Sequence, residues 1–190
     1  MKRSIVNNAI SEASQFFIKH SWHLPPEPHW DVTDFGLGDF ENFGLVLVNL
    51  CEEPEYCEKL MFAKMGMTTP CHAHKKKKED IIVRNGRLAI QVWNGKPGED
   101  DPNNPFSLKI NGNFEKLYSG DILKLEQGER VTLTNGIYHE FYPLSESCII
   151  GEVSTANDDA HDNYFANPEI GRFSEIIEDE LPLVKLVSDK

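Results

Sequence analysis

Two histidines one residue apart, followed five residues later by a carboxylate, mark the stretch Pro70-Cys71-His72-Ala73-His74-Lys75-Lys76-Lys77-Lys78-Glu79. On an extended strand alternate side chains share a face, so His72 and His74 point together and Ala73 points away. Glu79, returning across a tight turn, completes three ligands of the kind that suit a divalent transition metal. A fourth donor stands in residues 128–143, where His139 sits in an apolar, aromatic run that reads as a strand. Such a nitrogen and oxygen donor set suits Mn(II), Fe(II), Co(II), Ni(II) or Zn(II). Four protein ligands on a metal that prefers six leave two neighbouring positions, which a substrate with two adjacent oxygens can take.

A metal alone does not name a reaction, so acid and base groups matter next. Lys77 lies between two ligand positions in a run of four lysines. It is either part of a solvated turn or an ammonium held at the metal, able to donate a proton or steady an oxyanion. Lys59 and Lys64 have opposite parity on the preceding strand, so at most one faces inward. Glu152 interrupts the apolar run Cys148-Ile149-Ile150-Gly151-Glu152-Val153, where a carboxylate is out of place unless it faces a polar cavity or pairs with a base.

The elements that must position these groups read as mostly β. Residues 4–20 show helical spacing in Ile5, Ala9, Ala13, Phe16 and Phe17, with Ser4 as an N-cap. Pro25, Pro26 and Pro28 end that helix, and residues 24–43 read as a long ordered excursion. Strands are expected over 45–50, 59–65, 79–83, 87–93, 106–110, 121–125, 130–134, 138–142 and 148–154. Asn85-Gly86 between two of them is a hairpin signal. Short strands at regular spacing predict an antiparallel barrel or sandwich, with an interior mouth for a ligand. The barrel core spans about 44–155. The tail, about 156–190, is irregular and packs over the mouth or against a second copy.

At 190 residues the chain fits one domain, 1–190, with core enough to need no staples. A net charge of −12 speaks against nucleic acid or an anionic membrane as partner. Four carboxylates in residues 175–180 read as a solvated face. The four cysteines show no paired ligand spacing, no apolar run follows Met1-Lys2-Arg3, and no stretch is long enough to span a bilayer. A cytoplasmic protein with reduced thiols is the expectation. Apolar groups in the N-terminal helix and the 24–43 excursion, beyond what a barrel needs, point to a homodimer.

Gly66, His72-x-His74, Glu79 and Gly86 are similar in spacing to the first cupin motif, and Gly128, Thr134-x-Gly136 and His139 resemble the second. Thr134 stands where proline is usual and Pro143 where asparagine is usual, departures that bear on turn rigidity more than on ligation. Within cupins the chain looks most like the D-lyxose isomerases. Trp30 to Gly36, Gly44 to Leu47, Ile150 to Ser154, Asn157-Asp158-Asp159, Asp162-Asn163, Ile170 to Phe173 and Glu178 to Glu180 carry that likeness over most of the chain. The resemblance implies a small antiparallel β-barrel, or jelly roll, with one metal, usually Mn(II), held by His72, His74, Glu79 and His139. It implies isomerisation of D-lyxose to D-xylulose, and of D-mannose to D-fructose as a second reaction. Lys77 and Lys59 are then the nearby polar contacts. Asp162 and Arg172, in the matching tail segments, are expected to bind sugar with Lys59; Lys77 is the candidate acid, and Glu152, from its strand context rather than from the resemblance, the candidate base. Two other readings use the same ligands: an iron-dependent cupin dioxygenase and a non-catalytic sugar-binding cupin.

Overall fold

The computed structural model describes residues 1–155, 161–171 and 173–189. Along the chain run α1 (Arg3–Lys19), β1 (His29–Thr33), α2 (Phe40–Phe43), β2 (Leu45–Glu52), β3 (Tyr56–Lys64), β4 (His72–His74), β5 (Glu79–Asn85) and β6 (Leu88–Trp93). Then follow β7 (Phe106–Ile110), β8 (Asn113–Leu117), β9 (Asp121–Leu125), β10 (Arg130–Leu133), β11 (Tyr138–Pro143), β12 (Ser147–Thr155) and β13 (Asn163–Phe165). They form two antiparallel sheets, one ordered β1-β2-β3-β12-β5-β10-β7-β8 and the other β13-β4-β11-β6-β9. The inner faces close on one core that includes Leu47, Met61, Ile81, Ile90, Val131 and Ile150. β12 shows the alternation at work. Cys148 and Ile150 face this core, whereas Ile149 faces the opposite way, into a second cluster under α1.

That second cluster explains the helix. Val6, Ala9, Ile10, Ala13 and Phe17 make its buried stripe, laid against Trp30, Val32, Val46, Val48, Leu60 and Phe62 on the outer face of the larger sheet. Most of the apolar surplus of α1 and the 24–43 excursion is therefore buried within the chain, while Ile5, Ile18 and Leu37 stay exposed. Phe17 is fully buried, its ring 6.3 Å from Trp30 and 6.4 Å from Phe62. Phe17→Ala is expected to cost about 3–5 kcal/mol in urea unfolding, the usual range for a buried Phe. A loss below about 1 kcal/mol would mean that α1 does not pack as described.

Several local expectations change. Asn85-Gly86 does reverse the chain, with Gly86 at φ +86°, but β5 and β6 do not pair. β5 joins β10 and β12, β6 joins β9 and β11, and the turn carries the chain from one sheet to the other. A side chain at Gly86 would collide with Ser145 Oγ and stand 2.7 Å from Ser147 O. A tight turn specifies reversal, and the inward faces then decide which ladder each strand joins. The 24–43 excursion contains β1 on the edge of the larger sheet, and β13 adds the tail to the smaller one, so the sheets extend beyond 44–155. Ser4 is not the cap; Lys2 occupies that position, with no side-chain bond to the helix.

Nor is the acidic stretch at 175–180 simply a solvated face. Asp179 accepts from the Ser4 amide at 2.9 Å and its hydroxyl at 2.7 Å, and Glu178 and Asp189 bind the buried Arg3 guanidinium at 2.6 and 2.7 Å. Carboxylates gather here because a helix N-terminus and a buried cation both draw negative charge. The hydrogen bonds from Arg3 hold the Glu178 carboxyl below its ordinary value. For Asp189 burial opposes ionisation, but Arg3 and the Leu186 amide outweigh it and the carboxyl is again lowered. Groups lowered in the folded state stabilise it above their unfolded pKa, near 4, and that stability is lost as pH falls through the lower folded values. Arg3→Met should therefore flatten the acid limb of stability below about pH 4, as read by midpoint against pH. A limb identical to wild type would deny Arg3 this role. Among the described residues, no helix is long and apolar enough to cross a membrane.

Candidate metal centre

β4 and β11 are neighbours in the smaller sheet, with His139 opposite His72. His72 and His74 share a face of β4, as their spacing requires, and the rings of His72 and His139 lie 4.3 Å apart. One ligand atom from each of the three histidines falls within 4.8 Å of the others. Each ring is held from behind by a main-chain carbonyl on Nδ1: Pro70 O at 2.8 Å for His72, Asp162 O at 3.2 Å for His74, and Ile137 O at 3.2 Å for His139. Donation from Nδ1 places the lone pair on Nε2, the arrangement metal-binding imidazoles adopt. The second motif's glycine braces the same place. Gly136, at φ +82°, donates its amide to His74 O at 2.7 Å.

Glu79 comes from the other sheet, at the start of β5, and closes the set. Its Oε1 lies 3.4 Å from His74 Nε2 and 3.1 Å from His139 Nε2. Donors about 2.1 Å from one divalent ion, at right angles, stand about 3.0 Å apart. His74 Nε2, His139 Nε2 and Glu79 Oε1 are buried with no hydrogen-bond partner. Three buried acceptors facing one another is a costly arrangement in a protein without a cation, and a natural one around a cation. The residues fit a divalent metal. Burial, and then the imidazoles of His139 and His74, push the His72 pKa well below its ordinary value, so the ring is neutral and able to ligate. Burial works against ionisation of Glu79, but Lys77 and then His74 prevail and hold its carboxyl well below the usual range.

Beside the candidate metal donors runs a polar chain. Lys77 Nζ is 3.0 Å from Glu79 Oε2 and 2.9 Å from Glu152 Oε1, and Lys59 Nζ is 3.9 Å from the same Glu152 oxygen. Of the four lysines in the turn, Lys77 alone is buried; Lys75, Lys76 and Lys78 are exposed. Lys59 faces inward and Lys64 outward, where it meets Glu12 at 2.8 Å. Glu152 pairs directly opposite Lys59 across β12 and β3. Burial raises the Glu152 pKa, but Lys59 and then Lys77 more than offset this, and it stays below its ordinary value.

These groups line one cavity together with Phe35, Met61, Phe141, Asn163 and Phe165. Nothing in the spacing of the sequence marks Asn163, Phe165 or Phe35 as site residues. Asn163 and Phe165 arrive on β13, which pairs with β4 through His74 and His72, and Phe35 follows β1 at φ +55°. Asp162 is buried but absent from the cavity wall: both carboxylate oxygens face main-chain amides of the lysine turn. Arg172, like Asn157-Asp158-Asp159, lies outside the described residues.

The family model of D-lyxose isomerase matches residues 27–190. Similar curated proteins include the D-lyxose/D-mannose isomerase of Escherichia coli O157:H7, 34% identical over 95% of this chain and 94% of its own. That of Serratia proteamaculans is 33% identical over 96% and 94%. Among solved structures, the L-ribose isomerase of Cellulomonas parahominis with L-psicose has a TM-score of 0.70 over 93% of this chain and 98% of that one. At 18% identity that likeness is one of fold. With the family match over most of the length and two relatives above 30% identity, the chain belongs to the D-lyxose isomerase family.

Proposed function

We propose that this isomerase interconverts D-lyxose and D-xylulose, and D-mannose and D-fructose, with a divalent metal, Mn(II) first, held by His72, His74, Glu79 and His139. The observation that carries the reading is the meeting of orphaned metal donors with the Lys77–Glu152–Lys59 chain in one cavity. The activities that name the relatives in Escherichia coli O157:H7 and Serratia proteamaculans give the substrates.

Isomerisation moves hydrogen between C1 and C2 of an open-chain sugar. A bound divalent cation supplies Lewis acidity that polarises the carbonyl. Glu152, ionised at neutral pH because Lys59 and Lys77 face it, takes the proton from one carbon and returns it to the other. Lys77, an ammonium between Glu79 and Glu152, hydrogen-bonds a sugar oxygen as its charge grows. Lys59 holds the sugar with Asn163. Phe35, Phe141 and Phe165 keep water from the reacting carbons. Glu152 thus serves an enediol route, and a hydride shift is the competing one.

The deciding experiment is ketose formation by chelator-stripped protein, without oxygen, before and after adding Mn(II). Xylulose from D-lyxose only with metal is the expected result, and its formation without oxygen excludes a dioxygenase as its source. No ketose from either D-lyxose or D-mannose, with metal bound, overturns the proposal. In deuterated water the ketose should carry solvent deuterium at the carbon that receives the proton; none there counts against the enediol route. A cytoplasmic setting agrees with four free cysteines. The proposed homodimer would cover Ile18, Met65, Leu181 or Leu183, which remain exposed outside both cores. A concentration-independent monomer in sedimentation removes the dimer.

A further inference from the structure

We infer that Asp162 is a positioning residue: it holds the lysine turn that aims Lys77 and locks the His74 ring, and it does not touch the sugar. The inference rests on the isomerase reading for its kinetic consequence, and on geometry for everything else.

Asp162 Oδ1 accepts from the amides of Lys75 at 3.1 Å and Lys76 at 3.0 Å, while Oδ2 accepts from Lys76 at 3.2 Å and Lys77 at 2.9 Å. One carboxylate thus gathers three successive main-chain N–H groups, a concave donor set that favours an anion. The turn it closes is short, bridging His74 at the end of β4 and Glu79 at the start of β5, two ligands on different sheets. Its own amides need a partner where Lys77 is buried. Once they are tied down, the Lys77 side chain alone of the four lysines turns inward, to Glu79 and Glu152. Asp162 also acts through its main chain. Its carbonyl accepts from His74 Nδ1 at 3.2 Å, so the residue that aims the acid also fixes a ligand's tautomer. Its next neighbour, Asn163, is the one that lines the cavity.

The ladder between β13 and β4 keeps the Asp162 carbonyl near His74 whatever side chain stands at 162. Asp162→Asn therefore separates the two roles. It keeps the size, loses the charge, and turns an NH2 toward amide donors. The expected loss is about 10- to 100-fold in kcat, with the sugar KM and Mn(II) affinity each within about threefold of wild type. Two readouts on the metal-free protein need no activity. Lysine acylation mapped by mass spectrometry should leave Lys77 unmodified in wild type while Lys75, Lys76 and Lys78 react, and should modify Lys77 in Asp162→Asn. Hydrogen exchange at the Lys76 and Lys77 amides should be slow in wild type and fast in the variant.

A raised sugar KM with unchanged kcat would make Asp162 a sugar contact and overturn the inference. So would a lowered kcat with Lys77 and its amide as protected as before. Wild type decides the matter even if the variant does not fold, because rapid exchange at Lys76 and Lys77 there denies the clasp outright. A wild-type protein that makes no ketose overturns the isomerase proposal, and the labelling still decides the role of Asp162.

Discussion

Glu152→Gln is expected to lose about 10³-fold in kcat at saturating metal, with the protein still folded and the sugar KM little changed. The amide is isosteric, and its oxygen still accepts from Lys77 at the 2.9 Å position. What it lacks is basicity and charge. General acid–base groups contribute about 10²–10⁴ to rate, and 10³ corresponds to about 4 kcal/mol of barrier. The environment explains why this carboxylate can serve. Lys59 and Lys77 overcome its burial and keep it ionised, so it can accept a proton at neutral pH. The same lysines make it a weaker base than an isolated buried carboxylate, which sets its reach to a proton already acidified by the polarised carbonyl. Removing its charge also leaves Lys59 and Lys77 with less compensation near a cation site, so metal affinity should fall somewhat. For that reason kcat must be taken at saturating Mn(II), with affinity measured separately. Turnover within about threefold of wild type would remove Glu152 from the proton transfer.

What the sequence made legible, and what it did not, divides along physical lines. His72 and His74 share a face because strands have a period of two, and Lys59 and Lys64 part company for the same reason. Glu152 was conspicuous because a carboxylate in an apolar strand must have partners, and it has two lysines. These are local rules, and the proposed centre is largely built from local motifs on β4, β5 and β11. The failures are non-local. The turn at Asn85-Gly86 announces reversal but not that its strands part to different sheets. Phe35, Asn163 and Phe165 sit in segments with no strand periodicity, and only the pairing of β13 with β4 brings two of them to the site. Asp162 lies in a segment that carries the family likeness, and such a likeness places a residue near a site without saying which way its oxygens turn; here both face main-chain amides of the lysine turn. Of the helical stripe, Ala9, Ala13 and Phe17 are buried and Phe16 half-buried, while Ile5 is exposed and Val6 and Ile10 take its place against the chain's own outer sheet face.

His139→Ala should abolish both metal-dependent activity and metal-dependent stabilisation. His139 is the single donor that the second motif brings to the proposed centre, 1% exposed, and no other described donor can replace it from β11. In wild type, Mn(II) at a hundred times its dissociation constant should stabilise the fold by about 2.7 kcal/mol, because it binds the folded state alone. For a chain of this length that is a rise of about 5–10 °C in Tm, reversed by a chelator. The gain has a local origin. The unpartnered His74 Nε2, His139 Nε2 and Glu79 Oε1 acquire the cation their geometry demands. With His139 gone, one orphaned acceptor is gone too, so the metal-free variant loses packing but is relieved of part of that frustration. Its Tm should respond to Mn(II) by less than about 1 °C. The contrast in response, rather than either Tm alone, is the measurement, since a cavity lowers stability with or without metal. Equal rises in wild type and His139→Ala would place the stabilising ion elsewhere and dismantle the centre as assigned. A flat response in the variant beside a strong one in wild type assigns the ion to the four residues whose spacing first drew attention.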